Sequence, residues 1–164
     1  MEIERKYLVT LLPENLSGYK KKNIEQGYLC HNPTIRIRNS NEDYILTYKS
    51  KLGLEPVGEN GPSVNNEVEL PLTKEAYLNL KNKTDGNMVY KTRYLIPLRD
   101  NLTAELDIFE GLLQGLVIVE VEFPDLETAD TFRPPTWFGK DLSGDKRFTN
   151  YHLSKLSGLS ELGL

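Results

Sequence analysis

Like-charged residues separated by a single position recur along the sequence. Arg36 and Arg38 form one such pair, and Glu67 and Glu69 form another. In a β-strand, residues i and i+2 project from the same face, so each pair places two like charges on one side of a sheet. The remaining members of the pattern are Glu2 and Glu4 followed by Lys6, Lys91 and Arg93, Glu105 and Asp107, and Glu120 and Glu122.

An ordinary sheet with one wet face would also alternate charged and apolar residues. Such a face usually mixes charges of both signs, because like charges at close range repel. The repeated like-signed pairs therefore predict an arrangement around a charged ligand. If the sheet closes with these faces inward, charges line one lumen and apolar residues such as Ile37 and Val121 face outward, which inverts the usual barrel.

Carboxylates and cations in one lumen need partners there, and the natural partners are water, a divalent metal ion and a polyanion. Carboxylate oxygens suit Mg²⁺ or Mn²⁺. A mixed wall of arginine and lysine fits a phosphate chain, because a guanidinium binds phosphate oxygens through a planar fork. The sequence contains no GxxxxGK[ST] loop, which excludes a P-loop enzyme. His31 and His152 lack zinc-like spacing, and we expect ordinary structural roles for both.

Short strand-like runs separated by turn residues must carry these pairs, and about eight such runs are typical of a sandwich or barrel. Polar breaks at 39–41 and 100–101 predict hairpins, so much of the pairing should be antiparallel. The glycine- and proline-containing stretch 53–65 predicts a loop. The predicted strands cover residues 2–9, 23–30, 34–39, 44–49, 66–72, 88–97, 102–109 and 116–123.

Two helices are predicted outside the strands. Thr73 can cap a helix over residues 74–82, where Ala76, Leu78 and Leu80 supply apolar surface. A second helix is predicted to begin at Asp145, with an apolar stripe of Phe148, Tyr151, Leu153 and Leu156. We expect both helices to pack against the sheet.

Composition narrows the class of protein. The chain of 164 residues is 38% hydrophobic and 27% charged, which fits one globular domain over residues 1–164. A net charge of −4 gives no reason to expect a nucleic-acid partner. Cys30 is the only cysteine, which suits a reducing compartment, and no stretch has the apolar length of a signal sequence or membrane span. We therefore expect a cytoplasmic protein without a membrane partner.

The segment Glu2-Ile3-Glu4-Arg5-Lys6 resembles the ExExK signature of the triphosphate tunnel metalloenzymes, also called the CYTH superfamily. The resemblance continues in order along nearly the whole chain to about Leu156. A proline that is frequent in the family is replaced here by Lys146, which affects only the local turn. The matching segments are RIR (36–38), LTYKS (46–50), EVELPLT (67–73), KTRY (91–94), ELDIFEG (105–111), GLVIVEVEFP (115–124) and WFGKDLSGDKRFTN (137–150).

The resemblance implies a mainly β (α+β) fold, an eight-stranded antiparallel closed β-barrel with flanking helices, and a role for each matching residue. Asp107 and Glu69 would complete a second metal site or position water, and Lys6 would act with them in catalysis. Glu67 and Glu105 match acidic positions without an assigned contact. The implied metal ligands are Glu2, Glu4, Glu120, Glu122 and Asp107. The implied triphosphate clamp is Lys6, Arg36, Arg38, Lys49, Lys91 and Arg93, with Lys140 and Arg147 as further basic positions.

The expected function is hydrolysis of inorganic triphosphate to pyrophosphate and phosphate with Mg²⁺ or Mn²⁺. Alternatives on the same fold are a class IV adenylyl cyclase and a nucleoside, RNA or thiamine triphosphatase. A non-catalytic polyphosphate or nucleotide sensor would need the cations but has less need of so many carboxylates. A lipocalin-like carrier would be poorly served by paired charges. The sequence leaves the physiological substrate, the preferred metal and the oligomeric state open.

Overall fold

Alternating polarity along the strand-forming segments builds a closed barrel in the computed structural model, which describes residues 1–164. The strand order around the barrel is β1-β5-β4-β3-β2-β6-β7-β8, and every neighbouring pair is antiparallel. The predicted eight-stranded antiparallel barrel is confirmed. The strands are β1 (Glu2–Leu8), β2 (Lys20–Cys30), β3 (Thr34–Ser40), β4 (Asp43–Ser50), β5 (Ser63–Pro71), β6 (Asp85–Pro97), β7 (Thr103–Phe109) and β8 (Val117–Glu122).

Tight turns close the two predicted hairpins. Asn41 and Glu42 join β3 to β4 with φ values of 51° and 71°, and both lie in the left-handed region that a two-residue hairpin turn requires. Asp100 and Asn101, at 61° and 58°, turn the chain between β6 and β7. The loop predicted over residues 53–65 ends earlier than expected. Its last three residues belong to β5, where Val64 is buried and pairs with β1.

Apolar side chains on the outer face of the barrel form the hydrophobic core. Ile3, Leu106 and Val121 alternate with lumen-facing charges and pack outward in one cluster with Phe123 and Phe138. A second cluster fills one end of the lumen, because Val89, Phe109 and Ile118 alternate onto the strand face that carries the charges. The C-terminal segment covers this end, and the remaining members are Leu113, Leu116, Leu142, Phe148, Leu153, Leu156 and Leu162. The predicted inversion, with charges inside and apolar residues outside, holds around the cavity but not at the end of the lumen that the second cluster fills.

The first predicted helix forms as α1 (Lys74–Lys81). Thr73 caps it, because the Thr73 hydroxyl oxygen accepts a hydrogen bond of 3.1 Å from the backbone N–H of Ala76. The prediction that Leu78 faces the sheet is wrong, since its side chain is exposed. Tyr77 is the buried anchor instead, and its hydroxyl donates to the Glu25 carboxylate at 2.6 Å.

The second predicted helix is broken into two pieces. Residues Lys146–Phe148 form a 3₁₀ turn, and α3 (Asn150–Leu153) follows it. Thr149 between them is extended, and its hydroxyl oxygen caps α3 by accepting from the N–H of His152 at 3.2 Å. A short helix that the sequence did not predict, α2 (Leu126–Thr131), is capped by Asp125 and has too few residues to show a periodic apolar face.

The segment that precedes α3 runs along β1 and binds its backbone. The N–H of Leu8 donates to the carbonyl oxygen of Lys140 at 2.8 Å, and the N–H of Leu142 donates to the carbonyl oxygen of Lys6 at 2.7 Å. Gly139 makes the same kind of contact with Leu8, at a place where any side chain would collide with the Leu8 carbonyl oxygen. No helix is long and apolar enough to cross a membrane.

Candidate active site in the barrel lumen

The lumen contains a cavity of about 230 Å³ that is lined almost entirely by polar and charged side chains. Ile24 and Ile45 are its only apolar lining residues. Of the residues predicted for the site, those that line the cavity are Glu2, Glu4, Arg36, Arg38, Lys49, Glu69, Arg93, Glu120 and Glu122. The two acidic positions without an assigned contact, Glu67 and Glu105, line it as well.

The strand order separates the charges into two halves of the wall. The neighbouring strands β7, β8, β1 and β5 carry the lumen acids, namely Glu105, Glu120 and Glu122, Glu2 and Glu4, and Glu67 and Glu69. The neighbouring strands β4, β3, β2 and β6 carry the cations, namely Lys49, Arg36 and Arg38, Lys22, and Arg93. The lumen is therefore bipolar, with an acidic half facing a basic half.

Opposite charges pair where the two halves meet. At the β4–β5 boundary, the Lys49 ammonium lies 2.9 Å from a Glu2 carboxylate oxygen and 3.2 Å from a Glu67 carboxylate oxygen. At the β6–β7 boundary, the Arg93 guanidinium donates two hydrogen bonds of 2.7 and 2.8 Å to Asp107 and one of 2.7 Å to Glu105. Lys49 and Glu67 face each other in register, as do Arg93 and Asp107.

Arg36 and Arg38, in the middle of the basic half, have no acidic partner. One Arg36 terminal nitrogen donates to the Thr47 hydroxyl at 3.1 Å, and its Nε is buried without an acceptor. Arg38 donates to the side-chain oxygen of Gln26. Burial, together with the repulsion from Arg36 and Arg93, lowers the pKa of Arg38 to about 9. Two guanidinium groups thus face the lumen with positive charge that the protein does not neutralise.

The acidic half is also incompletely neutralised. Burial and the neighbouring Glu120 carboxylate raise the pKa of Glu4 to about 8, and Glu4 makes no ion pair. Burial and the Glu2 charge raise the pKa of Glu122. Glu120 behaves differently, because Lys6, whose ammonium lies 3.7 Å away, and Arg93 outweigh the effect of burial and lower its pKa. Glu4 and Glu120 therefore share one wall with opposite electrostatic environments.

Asp107 occupies a different place from the other predicted metal ligands. Its side chain is completely buried and does not line the cavity. One carboxylate oxygen accepts from Arg93, and the other accepts from both Arg93 and the Lys91 ammonium, at 2.7 Å. A metal ion in the cavity could reach Asp107 only after these bonds were broken. The structure suits Asp107 to holding Lys91 and Arg93 in place.

Four predicted basic residues also lie outside the cavity lining. Lys91 is buried beside Asp107, and the Lys6 ammonium lies deeper in the barrel than the cavity, where it donates to the Phe148 carbonyl oxygen at 3.0 Å. Lys140 is exposed and contributes only its backbone to β1. Arg147 forms an exposed ion pair of 2.6 Å with Asp145. The resemblance grouped Lys140 and Arg147 with the triphosphate clamp, but neither residue reaches the cavity.

Several lining residues were not predicted. Lys22 shares a strand face with Ile24, and the predicted strand missed it by beginning one residue too late. Ser40 and Thr47 carry no charge and gave no signal in the pattern of paired charges. Asn150 enters the lining from the start of α3, a placement that depends on the tertiary fold alone.

Comparison of sequences gives a family and two similar proteins. A profile of the CYTH domain matches residues 1–148. The chain is similar to an inorganic triphosphatase of Nitrosomonas europaea, with 37% identity over 157 residues that cover 93% of this chain and 96% of that protein. It is also similar to an inorganic triphosphatase of Acetivibrio thermocellus, with 31% identity over 163 residues that cover 94% of this chain and 93% of that protein.

Solved structures share the fold. The crystal structure of the inorganic triphosphatase NE1496 matches with a TM-score of 0.66 and 34% identity, covering 94% of each chain. The structure of HpAC1 from Hippeastrum, an adenylyl cyclase candidate described as having a dominant triphosphatase activity, matches with a TM-score of 0.65 over 95% of this chain and 97% of that one. Its identity of 18% extends the likeness to the fold alone.

Neutralising two acids of the same wall should change stability in opposite directions. The pKa of Glu4 is raised from 4.5 to about 8 on folding, so its ionised form destabilises the fold increasingly as pH rises through that interval. The lowered pKa of Glu120 means that its charge stabilises the fold above its ordinary pKa. In chelator at about pH 9, Glu4→Gln should raise the free energy of unfolding by on the order of 1 kcal/mol, and Glu120→Gln should lower it. Denaturant melts measure both, and a loss of stability in Glu4→Gln would contradict this description of the wall.

Removing the Asp107 charge should be costly, because it leaves Lys91 and Arg93 without their buried partner. We expect Asp107→Asn to lower the free energy of unfolding by about 3–5 kcal/mol. The matched control is Asp130→Asn, whose exposed carboxylate lies 3.4 Å from Arg5 and should matter by less than about 1 kcal/mol. Equal melting temperatures for the two variants would show that Asp107 does not organise the basic wall.

Proposed function

The chain belongs to the CYTH domain family, and on that premise we propose that it hydrolyses inorganic triphosphate to pyrophosphate and phosphate inside the barrel lumen. It is then a phosphoanhydride hydrolase that uses a divalent metal ion. Similarity over more than nine-tenths of the chain to proteins named inorganic triphosphatases supports this substrate. The cavity, polar on nearly all sides, supports the lumen as the place of reaction.

The observation that carries the proposal is the unneutralised positive charge of Arg36 and Arg38. Neither guanidinium has a carboxylate within ion-pair distance, although acidic residues line the opposite half of the same cavity. A triphosphate supplies several negative oxygens along a short chain and can satisfy both planar forks. Burying these charges is otherwise unfavourable, so the arrangement is best explained by a polyanionic ligand.

The acidic half fits a divalent metal ion shared with the substrate. Nowhere in the structure do three or more acidic, histidine or cysteine side chains converge into a complete metal cage. Mg²⁺ typically takes one or two carboxylates and fills its other positions with water and substrate phosphates. The uncompensated Glu4 carboxylate, whose pKa is raised to about 8, is a group that a bound cation would stabilise. The residues that would hold the ion are Glu2, Glu4, Glu120 and Glu122.

A bound Mg²⁺ or Mn²⁺ supplies Lewis-acid stabilisation of phosphate charge. The protein's own contribution is mostly positioning, because phosphoryl transfer passes through a loose transition state whose charge must be held in place. Arg36, Arg38 and Arg93 fix the chain from the basic half. Glu69 lines the cavity without an ion pair, and we assign to it the orientation of the attacking water and the acceptance of its proton. The Lys6 ammonium lies 3.7 Å from a Glu120 carboxylate oxygen and helps to keep that carboxylate ionised by lowering its pKa.

The alternative functions fit the lumen less well. A class IV adenylyl cyclase or a nucleoside triphosphatase must also hold a base, but no aromatic side chain lines the cavity and only two lining residues are apolar. The same lining is unsuited to the apolar ligand of a lipocalin-like carrier. A non-catalytic polyphosphate sensor would use the basic half and leave the acidic half without a purpose.

The remaining expectations about partners and location also belong to this proposal. The net charge of −4 offers no general attraction to nucleic acid, and the cations that face the lumen are enclosed by the barrel wall. The free cysteine Cys30 is consistent with a reducing, cytoplasmic compartment.

The first consequence is a substrate and metal profile. Phosphate release should require Mg²⁺ or Mn²⁺ and should be fastest with inorganic triphosphate among triphosphate, pyrophosphate, ATP, thiamine triphosphate and long polyphosphate. The expected order follows from a cavity that offers charge and no surface for an organic group. Turnover that persists undiminished in chelator, or cyclic AMP as the main product from ATP, would overturn the proposal.

The second consequence separates the two halves of the wall. Arg36→Ala and Arg38→Ala should each weaken triphosphate binding by about tenfold or more, because a charge-assisted contact is lost. Glu4→Gln should mainly remove metal-dependent turnover, since its carboxylate serves the cation. Calorimetry with triphosphate and steady-state kinetics measure the two effects. The control is Arg99→Ala, an exposed arginine in the β6–β7 turn that should leave affinity unchanged. Wild-type affinity in both lumen arginine variants would remove them from the clamp.

A further inference from the structure

Gln26 is a completely buried polar residue on the lumen face of β2. Its neighbour Glu25 points outward, where its carboxylate binds Tyr77 and Lys81 of α1. Because side chains alternate along a strand, Gln26 shares its face with Ile24, which lines the cavity. Gln26 carries no charge and is absent from the pattern of paired charges that marks the other residues of this lumen.

The side-chain oxygen of Gln26 holds Arg38. It accepts hydrogen bonds from Arg38 Nε at 3.0 Å and from Arg38 Nη2 at 2.7 Å, and the two residues face each other across β2 and β3. Arg38 makes no other side-chain hydrogen bond and has no ion pair. Gln26 therefore fixes one edge of the guanidinium and leaves Nη1 available for a ligand.

The side-chain nitrogen of Gln26 has no partner. Gln26 Nε2 is buried and finds no acceptor in the protein. The orientation of the amide follows from its contacts, because Arg38 can only donate and must therefore face the amide oxygen. Gln26 does not line the cavity, so the unpaired N–H is a cost of holding the amide oxygen against Arg38.

An amide at this position has a consequence for the charge of Arg38. Arg93, on the next strand, is held by the carboxylates of Asp107 and Glu105, which also cancel its charge. Gln26 holds Arg38 in a comparable fork without cancelling its charge. A glutamate at the same place would hold the guanidinium at least as firmly, but it would neutralise it and repel an anion.

We propose that Gln26 is a positioning residue of the triphosphate clamp, whose carbonyl oxygen orients the Arg38 guanidinium without neutralising it. The inference rests on the proposed function and adds to it a neutral residue outside the paired charges. Its role is exerted through Arg38, because Gln26 itself does not line the cavity.

The decisive variant is Gln26→Glu, because it should change the stability of the fold and the affinity for triphosphate in opposite directions. The new carboxylate can pair with Arg38, so the melting temperature should stay the same or rise. The KM for triphosphate should nevertheless increase by about tenfold or more, because the new carboxylate neutralises Arg38 and repels the anion. A residue with only a structural role would not give stronger folding together with weaker binding. The control is Glu25→Gln on the outer face of the same strand, which should leave KM unchanged.

A second variant covers the case in which Gln26→Glu fails to fold. Gln26→Met keeps the volume, removes both polar contacts and should also raise KM. Combined with Arg38→Lys in a double-mutant cycle, its effect on KM should be clearly less than additive, because Gln26 acts through the guanidinium that Arg38→Lys removes. Full additivity would exclude action through Arg38.

Measurements on the wild-type protein distinguish a wrong role for Gln26 from a wrong proposed function. If wild type binds and hydrolyses triphosphate with Mg²⁺ while Gln26→Glu and Gln26→Met keep its KM, the role of Gln26 is wrong and the proposed function stands. If wild type neither binds nor hydrolyses triphosphate, the proposed function fails, and this inference fails with it.

Discussion

Separation of charge across a closed lumen is the constraint on which the rest of this structure depends. The strand order gathers the acids on four neighbouring strands and the cations on the other four. Each half repels itself, and the two halves attract each other across a space of about 230 Å³. At both boundaries an acid and a base face each other in register, Lys49 with Glu67 and Arg93 with Asp107, so attraction is strongest where the halves are joined. The centres of the two halves are left without partners, and these are where the proposed triphosphate and metal ion would bind.

A charged lumen forces the hydrophobic core to the outside of the barrel. Residues such as Ile3, Leu106 and Val121 can be buried only if other segments cover the outer face of the sheet. Helix α2 and the segment around Phe138 provide that cover, while Phe148 and the rest of the C-terminal segment close the apolar end of the lumen. The short helices are therefore part of the same solution as the charged lumen, because without them the outer apolar face would meet water.

The sequence predicts well which face of a strand a side chain occupies, and it predicts poorly how far along the barrel that side chain lies. A spacing of two residues determines which side of a strand a charge occupies, so most paired residues were placed in the lumen correctly from the pattern alone. The same spacing does not report how far along the barrel a residue lies, and Asp107 and Lys91 are therefore buried beyond the cavity, next to the apolar end of the lumen. Closure of the sheet also makes β8 the direct neighbour of β1, with Glu122 in register with Glu4. Strand order arises from closure of the whole sheet, and Gln26, Asn150 and the split helix depend on contacts made only after that closure.

The contact between the beginning and the end of the chain bears on when the site can exist during synthesis. β1 pairs with β8, Leu8 binds the backbone near Lys140, and the ammonium of Lys6 is held by the carbonyl oxygen of Phe148. A nascent chain presents β1 to the cell long before these partners leave the ribosome. Until those partners emerge, Glu2 and Glu4 lie in a chain that has not closed into a barrel, and water screens their mutual repulsion. The lumen gathers its charges only in the last step of assembly, so incomplete chains carry the site's residues without its chemistry.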